Sequence, residues 1–530
     1  MERINIIGAG LAGLSAAIAL AEGGRPSNLV SAQASERAQS VLAEGGINAA
    51  LDIMGEGDTW QEHRDDTLRG GANLADPAAV AGLAQGAPDI VRRLMALGVP
   101  FQMENGRMIQ RNFGGQRKKR TAYARSSTGK ALMTALIDAA RRYEAAGLIR
   151  RYPNHEFQRL IIEDGRCVGA RVRDSYTGRG VALMGRVILC CGGLNGFFPE
   201  KTTGTTQNTG DAAAAAFAQG VAFANLEFIQ YHPTTVGIAG KRCLISEAAR
   251  GEGGRLCALR DGKPWYFMEE RYPELGNLMP RDVVSREMEQ VARMPDCGGQ
   301  VYLDLTGLSD AVWQRRLSDL REECLHYLAI DPAKALVPVE PGIHFFMGGI
   351  DVDIRHRTSL PGLWAAGECA CQYHGANRLG GNSMLGAIYG GAVAAKDILS
   401  EAAGAELPDR ELGPVEGYGT VAADAFALRL RDILLGALGM LREVARFDAA
   451  LARVDALLAE ELPAHLRDRA LLGKAMLLAG KARRESRGAH TRADFPGRDE
   501  AYRKTTVLRR RGDQVTIEYR DIPERGGEDA

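Results

Sequence analysis

The stretch INIIGAGLAGLSAAIALAE at positions 4–22 decides the fold. Ile4–Ile7 form a short apolar run of the kind found in buried strands, and a helical pattern follows the glycines. Between them, Gly8 allows a tight turn, Gly10 lets the backbone approach a pyrophosphate, and Gly13 lets helix and strand pack closely. The pattern predicts a Rossmann-like unit whose phosphate site lies at the helix N-terminus. The residues predicted to form this site are Gly8, Ala9, Gly10, Leu11, Ala12 and Gly13.

The glycine turn alone does not distinguish FAD from NAD, but later segments favour FAD. A second strand at positions 28–32 is expected to deliver Ser31 to the adenosine ribose, where an acid is more usual. The segment SVLAEGGINAAL provides Gly45 and Gly46 for close approach to an isoalloxazine ring, and NTGDAAA provides Asp211. Nicotinamide dehydrogenases lack such distributed glycines, so we expect FAD.

Length and composition indicate a globular protein of several domains. The chain has 530 residues, of which 45% are hydrophobic and 25% charged, enough for about two to four domains. Its 66 basic and 66 acidic residues give no net charge, and hence no electrostatic signature of nucleic-acid binding. The first strand follows Met1 directly, which leaves no room for a signal peptide, and no apolar run is long enough to span a bilayer. We therefore expect a cytoplasmic protein that is peripheral to a membrane only through partner subunits.

The nine cysteines indicate no metal centre in this chain. Cys190 and Cys191 end a strand-like segment, Cys369 and Cys371 lie beside a glycine–glutamate turn, and neither a C-x-x-C pair nor a ferredoxin-like run occurs. We expect the thiols to be reduced and buried, as is usual in the cytosol. Electrons are therefore expected to reach or leave the protein by way of another molecule.

Shifts in composition divide the chain into an α/β architecture with several parts. Strand and glycine patterns before residue 226, and again from residue 349, predict one FAD-binding domain built from two segments. The residues between them indicate an inserted α+β capping domain, and the Ala-, Leu- and Arg-rich pattern after Pro408 predicts a helical bundle. The predicted ranges are 1–226 and 349–408 for the FAD-binding domain, 227–348 for the capping domain, 409–490 for the helices and 491–530 for a small C-terminal tail.

Five further segments carry the candidate site. They are LEFIQYHPTT, SEAARGEGG, MPRDVVSREM, PGIHFFMGGI and AAGECACQYHGANRLGGNSML, which contain His232, Glu247, Arg281, His344 and Arg378 in that order. In these segments the chain resembles the flavoprotein subunits of the fumarate reductase and succinate dehydrogenase family. The segment ARRESRGAHTRADFPGRDEAYRKTTVLRR also resembles the C-terminal region of that family, so the resemblance runs from end to end.

The resemblance implies a flavoenzyme that reduces fumarate to succinate. Reduced FAD N5 is expected to transfer a hydride to one alkene carbon, and the adjacent carbon then needs a proton. In this family, a dicarboxylate is bound by the residues that match His232, Ser246, His344 and Arg378. The resemblance also implies flavin contacts by Glu368, Ser383 and Met384.

The resemblance further implies that Arg281 is the proton donor, and that Glu247 and Arg250 relay the proton from solvent. Arginine is a poor acid in water and is ordinarily interpreted as a carboxylate clamp. It can act as an acid only where its proton is replaced quickly and where nearby positive charge disfavours its cationic form. For Glu247 and Arg250, a structural salt bridge is the alternative interpretation. Arg378 suits the role of a carboxylate clamp because its guanidinium group is planar and forked.

Two positions depart from the family. Many membrane-bound members carry a histidine before A-x-G-G that bonds covalently to the flavin, whereas this chain has Gln39 in the run AQSVLAEGG. An amide cannot form that bond, so we expect non-covalent FAD, which in this family favours fumarate reduction over succinate oxidation. The second departure is Gly386, where relatives have an acid near the flavin, and the sequence alone does not indicate what replaces it.

Other functions stay open. L-Aspartate oxidase shares nearly all these motifs and also holds FAD non-covalently, but it has a glutamate where this chain has Phe113 in RNFGGQRKKRTAYARSSTG. An aromatic ring offers no anion to a substrate ammonium group, so we favour fumarate reductase, with Phe113 beside the alkene. Reduction of another unsaturated carboxylic acid and operation in the succinate dehydrogenase direction are further alternatives. A flavin-binding electron relay without a substrate is disfavoured because it needs no proton donor such as Arg281.

The electron donor and the oligomeric state do not follow from the sequence. Members of the family work with an iron–sulfur subunit, a haem domain or free reduced flavins. Since the sequence predicts no cluster ligands in this chain, we expect a separate iron–sulfur or other electron-transfer subunit as its partner.

Overall fold

A computed structural model describes residues 1–125, 127–414, 420–512 and 514–524. The predicted ranges that include positions outside these described residues are 1–226, 409–490 and 491–530. The described residues form both helices and strands, mixed along the chain. The α-helices are α1 (Leu11–Glu22), α2 (Trp60–Gly70), α3 (Pro77–Ala96), α4 (Thr128–Ala145), α5 (Asp211–Ala218), α6 (Ala248–Gly251), α7 (Phe267–Arg271), α8 (Arg281–Ala292), α9 (Asp310–Arg315), α10 (Ser318–Leu328), α11 (Asn382–Ser400), α12 (Thr420–Leu438), α13 (Val444–Leu458) and α14 (Ala464–Ala482).

The first predicted strand lies at the centre of a parallel sheet. Ile4–Ile7 is buried along its whole length and pairs with Ser27–Ser31 on one side and with Val187–Leu189 on the other. A continuous apolar run is typical of a parallel strand covered on both faces, and α1 packs nearby against α4 and α11. In spatial order the strands are Leu363–Ala365, Val187–Leu189, Ile4–Ile7, Ser27–Ser31 and Ile149–Pro153. The predicted α/β fold with a Rossmann-like domain is confirmed.

A second large sheet belongs to the inserted part of the chain and carries much of the candidate site. His232 lies on Ile229–Ile238, and His344 lies on the antiparallel neighbour Val337–Phe346. Helix α8, which begins at Arg281, packs against both strands. In spatial order the strands are Lys241–Leu244, Ile229–Ile238, Val337–Phe346, Val301–Asp304, Arg255–Arg260 and Lys263–Trp265.

Smaller sheets complete the fold. One consists, in spatial order, of Arg410–Pro414, Arg179–Met184, Arg166–Asp174 and His155–Glu163. Another consists of Ala370–Cys371, Gly349–Asp351, Phe223–Ala224, Lys504–Arg511 and Gln514–Asp521. Short strands pair in two further groups, which are Ile47–Asn48, Thr121–Ala122 and Gln110–Arg111, and Met103–Glu104 with Arg107–Met108.

The C-terminal segment is tied to the rest of the molecule by a hairpin and by buried charges. The predicted strand VTIEYRDI lies in Gln514–Asp521, and its partner Lys504–Arg511 also pairs with Phe223–Ala224. Arg483, buried just after α14, donates through Nε to the buried Glu227 carboxylate at 2.6 Å. Helices α12, α13 and α14 pack on one another. The segment predicted as a tail is therefore an integral part of a sheet.

The cysteines depart in part from the expectation. All nine lie within the described residues and none forms a disulfide, but Cys191, Cys243 and Cys371 are partly exposed, so the expectation that all are buried is wrong. The reason is local, because Cys191 lines a cavity and Cys243 lies on an edge strand. No group of three or more His, Cys, Asp or Glu side chains in the described part of the chain is placed to hold a metal ion. No helix within the described ranges is long and apolar enough to cross a membrane.

Candidate active site

A cavity of about 850 Å³ lies between the carboxyl edge of the parallel sheet and the inserted domain. Its wall includes the glycine turn before α1, the start of α11, and the strands that carry His232 and His344. Most residues predicted for the site line this cavity, and Gly13 and Arg250 lie behind its wall. The predicted residues in the wall are Gly8, Ala9, Gly10, Leu11, Ala12, Ser31, Gly45, Gly46, Phe113, Asp211, His232, Ser246, Glu247, Arg281, His344, Glu368, Arg378, Ser383 and Met384.

The glycine turn makes contacts that a side chain would prevent. Gly8 has a φ of 114°, and a Cβ atom there would lie 2.1 Å from the Cys190 carbonyl oxygen. A Cβ atom at Gly13 would lie 1.9 Å from the Gly8 carbonyl oxygen, so this glycine lets α1 pack closely on the first strand. Gly10 is the N-cap of α1 and lines the cavity. The N-terminus of α1 therefore faces the cavity, as a pyrophosphate site requires.

A second helix N-terminus faces the same cavity. Helix α11 begins after Gly381, which has a left-handed φ of 82°, and Ser383 and Met384 in its first turn line the cavity. Ser31 lies at the end of its strand and donates its hydroxyl proton to the Gln33 carbonyl oxygen at 2.6 Å. The hydroxyl oxygen of Ser31 still has lone pairs that can accept from a ribose hydroxyl.

The cavity fits FAD. Asp211 Oδ1 is buried and has no hydrogen-bond partner among the described residues, and its nearest cation, Arg469 Nε, is 3.9 Å away. Such a group is expected to meet a polar ligand. Gly45 lines the cavity beside the Phe113 ring, and a Cβ atom on Gly45 would lie 3.0 Å from that ring. Gly46, also in the wall, has a φ of 141°. Two helix N-termini, adjacent glycines and a carboxylate oxygen without a hydrogen-bond partner are what a flavin dinucleotide needs.

Glu368 places a carboxyl group with a raised pKa in the cavity wall. Burial raises the pKa of Glu368 to about 7, although the backbone N–H of Phe346, which donates to Oε1 at 3.1 Å, and the charge of Arg378 act in the opposite direction. A Cβ atom at Gly193 would lie 2.4 Å from Glu368 Oε1, so a larger residue there would displace the Glu368 carboxyl group. At neutral pH this carboxyl group can both donate and accept, which suits the hydroxyl groups of a cofactor.

Arg281 lies at the first position of α8, between a carboxylate and an amide. Its Nη2 and Nε donate to Glu247 Oε2 at 2.5 and 2.9 Å, and its Nη1 donates to Gln230 Oε1 at 3.1 Å. Glu247 Oε1 accepts from the Gly114 N–H at 3.1 Å and lies 3.1 Å from Arg250 Nη2. Burial alone would raise the pKa of Glu247, but Arg281 and Arg250 lower it to about 2. The structure thus brings the three predicted catalytic residues into one buried chain.

His232 and His344 face the cavity from neighbouring strands, with ring centroids 5.0 Å apart. His344 Nδ1 lies 2.7 Å from the Thr203 hydroxyl, and His232 Nδ1 lies 3.2 Å from the Thr234 carbonyl oxygen. Burial and then the charge of Arg281 lower the pKa of both imidazoles well below its usual value. Both rings are therefore neutral at pH 7, and each leaves Nε2 to form a hydrogen bond in the cavity.

Arg378 is a buried guanidinium group that forms no ion pair with the described residues. Its Nε has no hydrogen-bond partner there, and its guanidinium carbon lies 4.4 Å from the Phe345 ring centroid. Burial and then the charge of Arg281 lower the pKa of Arg378. An anion in the cavity would offset the cost of burying the guanidinium charge, because an opposite charge nearby favours the charged form of Arg378.

Glu44 is a cavity residue that the sequence analysis missed. Burial raises the pKa of Glu44 to about 8, and its carboxyl group hydrogen-bonds the Ser246 side chain. Arg111 lies nearby, donates to the Gly45 carbonyl oxygen, and stacks on the Tyr123 ring at 4.0 Å. At pH 7 the Glu44 carboxyl group is mostly protonated. The available signal was an acid directly before the paired glycines in SVLAEGGINAAL.

Gln230 and Asn377 were also missed, although both lie next to predicted residues. Gln230 precedes His232 by two positions on a strand, and alternate residues of a strand point to the same face. Asn377 directly precedes Arg378. Gln230 donates through Nε2 to Asn377 Oδ1 at 2.8 Å. The strand period was a usable signal for Gln230, whereas the contact between the two amides depends on the tertiary fold.

The structure shows what surrounds the two positions that depart from the family that the sequence resembles. Gln39 lines the cavity, and its side-chain oxygen accepts from the Thr205 N–H at 2.6 Å. At Gly386, a Cβ atom would lie 3.3 Å from the Tyr373 ring and 3.5 Å from the His374 ring. These two rings therefore occupy the space beside α11 into which an acidic side chain at position 386 would extend.

Comparisons with known proteins agree with this geometry. Residues 4–384 match the FAD binding domain family, and residues 461–525 match the fumarate reductase flavoprotein C-terminal family. The chain is 36% identical to the succinate dehydrogenase flavoprotein subunit of Bacillus subtilis, over 98% of this chain and 96% of that one. It is 33% identical to L-aspartate oxidase of Streptomyces coelicolor, over 98% of this chain and 93% of that one. The solved structure of a variant E. coli quinol fumarate reductase matches with a TM-score of 0.85 and 28% identity, over 98% of this chain and 96% of that chain.

These matches cover nearly the whole chain, and they agree with the cavity, the glycine turn and the two helix N-termini. The chain therefore belongs to the succinate dehydrogenase and fumarate reductase flavoprotein family, and it is an FAD-dependent oxidoreductase.

Proposed function

We propose that this protein reduces fumarate to succinate. The observation that carries the proposal is the buried Arg378, which lines the cavity near Arg281 and forms no ion pair among the described residues. Because guanidinium groups stay protonated in proteins, Arg378, Arg281, Arg250 and Glu247 together leave an excess of two positive charges. A dicarboxylate dianion neutralises this excess.

The neighbouring polar groups can orient such a dianion. Arg378 can bind one carboxylate through two parallel hydrogen bonds. The neutral rings of His232 and His344 and the hydroxyl group of Ser246 each add one hydrogen bond from the cavity wall. Contacts of this kind fix the angle of the alkene as well as its position, and orientation contributes a large part of the rate in such reactions.

The part of the chemistry that belongs to the protein is proton delivery. A bound FAD in its reduced form would supply the hydride that one alkene carbon takes up. Arg281 then gives a proton to the adjacent carbon, from a guanidinium group whose Nε and Nη2 are held by Glu247. Arg250 lies on the other oxygen of Glu247, so a proton can return to Arg281 along Arg250 and Glu247.

Phe113 favours fumarate over L-aspartate. Its side chain is buried against Gly45 and Gly380, and it presents a ring to the cavity where an ammonium group needs an anion. Glu44 does not supply that anion at pH 7, because burial raises its pKa to about 8. Aspartate oxidase activity is the second candidate, since a relative at 33% identity carries that name.

The direction of reaction and the partner complete the proposal. Gln39 cannot bond covalently to the flavin, which favours fumarate reduction over succinate oxidation. We propose that electrons come from a separate iron–sulfur or other electron-transfer subunit, because the described residues hold no cluster of metal ligands.

The first prediction concerns Gln39. Acid precipitation of the FAD-loaded protein is expected to release all yellow colour into the supernatant, because an amide forms no bond to the flavin ring. Gln39→Ala is the matched control, and it is expected to release FAD in the same way while removing the acceptor of the Thr205 N–H. Flavin fluorescence that stays with the denatured protein on a gel would show a covalent link and refute the prediction.

The second prediction concerns substrate choice and tests the proposed function. With a reduced viologen as donor, the purified protein is expected to reduce fumarate, and with an oxidised dye it is expected to oxidise succinate more slowly. L-Aspartate is expected to produce no hydrogen peroxide at pH 7. Neither Phe113 nor protonated Glu44 offers an anion to its ammonium group, and the ionised Glu247 is already paired with Arg281 and Arg250. Aspartate-dependent peroxide at rates that match fumarate turnover would contradict the assignment.

A further inference from the structure

A closed ring of hydrogen bonds joins the candidate proton donor to the loop that carries Arg378. Gln230 accepts from Arg281 Nη1 at 3.1 Å, and its Nε2 donates to Asn377 Oδ1 at 2.8 Å. The same Nε2 donates to the Arg378 carbonyl oxygen at 2.8 Å. Asn377 Nδ2 donates in turn to Asp282 Oδ1 at 2.9 Å, and it makes a longer contact with the Gly70 carbonyl oxygen at 3.4 Å. Since Asp282 follows Arg281 in α8, the ring closes through the backbone.

The ring crosses between two parts of the molecule. Gln230, Arg281 and Asp282 belong to the inserted part, on a strand and at the start of α8. Asn377 and Arg378 lie in the loop before α11. Gln230 is 0% exposed and Asn377 is 2% exposed. Buried amides of this kind hold one orientation, because turning either one would leave polar atoms without partners.

The direction of the hydrogen bonds is set from both ends. Arg281 can only donate. Asp282 in its ionised form can only accept, and although burial raises the pKa of this carboxyl group, Arg286 acts in the opposite direction. Gln230 and Asn377 lie between these two residues, so each must accept one hydrogen bond through its side-chain oxygen and donate another through its side-chain nitrogen. Only one orientation of each amide group allows this. A carboxylate at position 377 could still accept from Gln230, but it would have no proton for Asp282.

We propose that Gln230, Asn377 and Asp282 are positioning residues that align Arg281 with Arg378, so that proton donor and carboxylate clamp reach the substrate as one unit. This proposal rests on the proposed fumarate reduction, and it adds the residues that set the position of Arg281 relative to Arg378. None of the three lies in the cavity wall as the described residues form it, so they act only through Arg281 and Arg378. A misplacement of about 1 Å at such a site costs on the order of 10²-fold in rate.

Swapping the side chains at positions 377 and 282 tests the proposal. Asn377→Asp removes the donor to Asp282 and sets two carboxylates against each other, so fumarate turnover is expected to fall roughly 10²-fold, while bound FAD stays at the wild-type level. Asp282→Asn alone keeps an oxygen that accepts from Asn377, so its effect is expected to be small. The double variant with both changes reverses donor and acceptor and is expected to recover turnover to within about threefold of wild type.

A second readout separates alignment from general damage and from the fumarate assignment. Hydrogen–deuterium exchange in the first turn of α8 is expected to be faster in Asn377→Asp and to return to the wild-type rate in the double variant. The proposal is overturned by wild-type turnover and exchange in Asn377→Asp, or by a double variant that is no better than the single one. The wild-type protein could fail to reduce fumarate while the two variants still show the expected hydrogen–deuterium exchange. That result would reject the fumarate assignment and retain the proposed hydrogen-bonded ring.

Discussion

Arg281→Ala is expected to lower fumarate turnover by roughly 10² to 10⁴ while FAD binding and fumarate binding stay nearly intact. The reason is that the proton leaves Arg281 only in the transition state, so the loss falls on turnover and not on ground-state binding. The fold is expected to survive, because Glu247 keeps its contacts with Arg250 and with the Gly114 N–H when Arg281 is removed.

Two further variants sharpen this test. Arg281→Lys keeps a positive charge, but a compact ammonium group cannot span both Glu247 and Gln230 as the guanidinium group does, so turnover is expected to stay low. Arg293→Ala changes the same residue type at the end of the same helix, where the pair with Glu289 is solvent-exposed, and it is expected to behave as wild type. Wild-type turnover in both Arg281 variants would mean that the proton comes from elsewhere.

Arg378→Ala is expected to weaken dicarboxylate binding by about 2–5 kcal/mol, which corresponds to a KM increase of roughly 30-fold or more. The wild-type guanidinium group is buried without an ion pair among the described residues, so most of its favourable electrostatic energy is realised only when an anion binds. The dissociation constant of fumarate or succinate is measured from the change in flavin absorbance on titration.

Arg378→Lys is the conservative control for this variant. It retains the charge but loses the forked pair of donors, so binding is expected to be intermediate between wild type and Arg378→Ala. Removal of the guanidinium group also removes a charge that lowers the pKa of Glu368. Unchanged dicarboxylate affinity in Arg378→Ala would show that the anion lies elsewhere in the cavity.

The parts of this protein that the sequence predicts well are local. The strand at Ile4–Ile7 and the turn from Gly8 to Gly13 are specified by neighbouring residues. The second strand is expected at positions 28–32 and lies at Ser27–Ser31. The candidate site residues could be named because each lies in a short segment that resembles the family. Their assembly around one cavity joins residues that are more than 300 positions apart, and the family resemblance rather than any spacing indicated it.

The features that the sequence did not predict depend on tertiary contacts. Glu44 has a raised pKa only because the fold buries it beside Ser246. The amide pair of Gln230 and Asn377 forms only when the inserted domain lies against the loop before α11. The pairing of Lys504–Arg511 with Phe223–Ala224 connects distant segments, and strand periodicity does not name a strand's partner.

The most direct test of fumarate reduction is a single turnover without oxygen. FAD-loaded protein is reduced chemically, mixed with an equimolar amount of fumarate, and followed by the visible absorbance of oxidised flavin and by assay of succinate. We predict full reoxidation of the flavin with an equimolar yield of succinate in the wild type, and much slower reoxidation in Arg281→Ala. A flavin that stays reduced in the presence of fumarate, and reoxidises only with a different acceptor, would contradict the assignment.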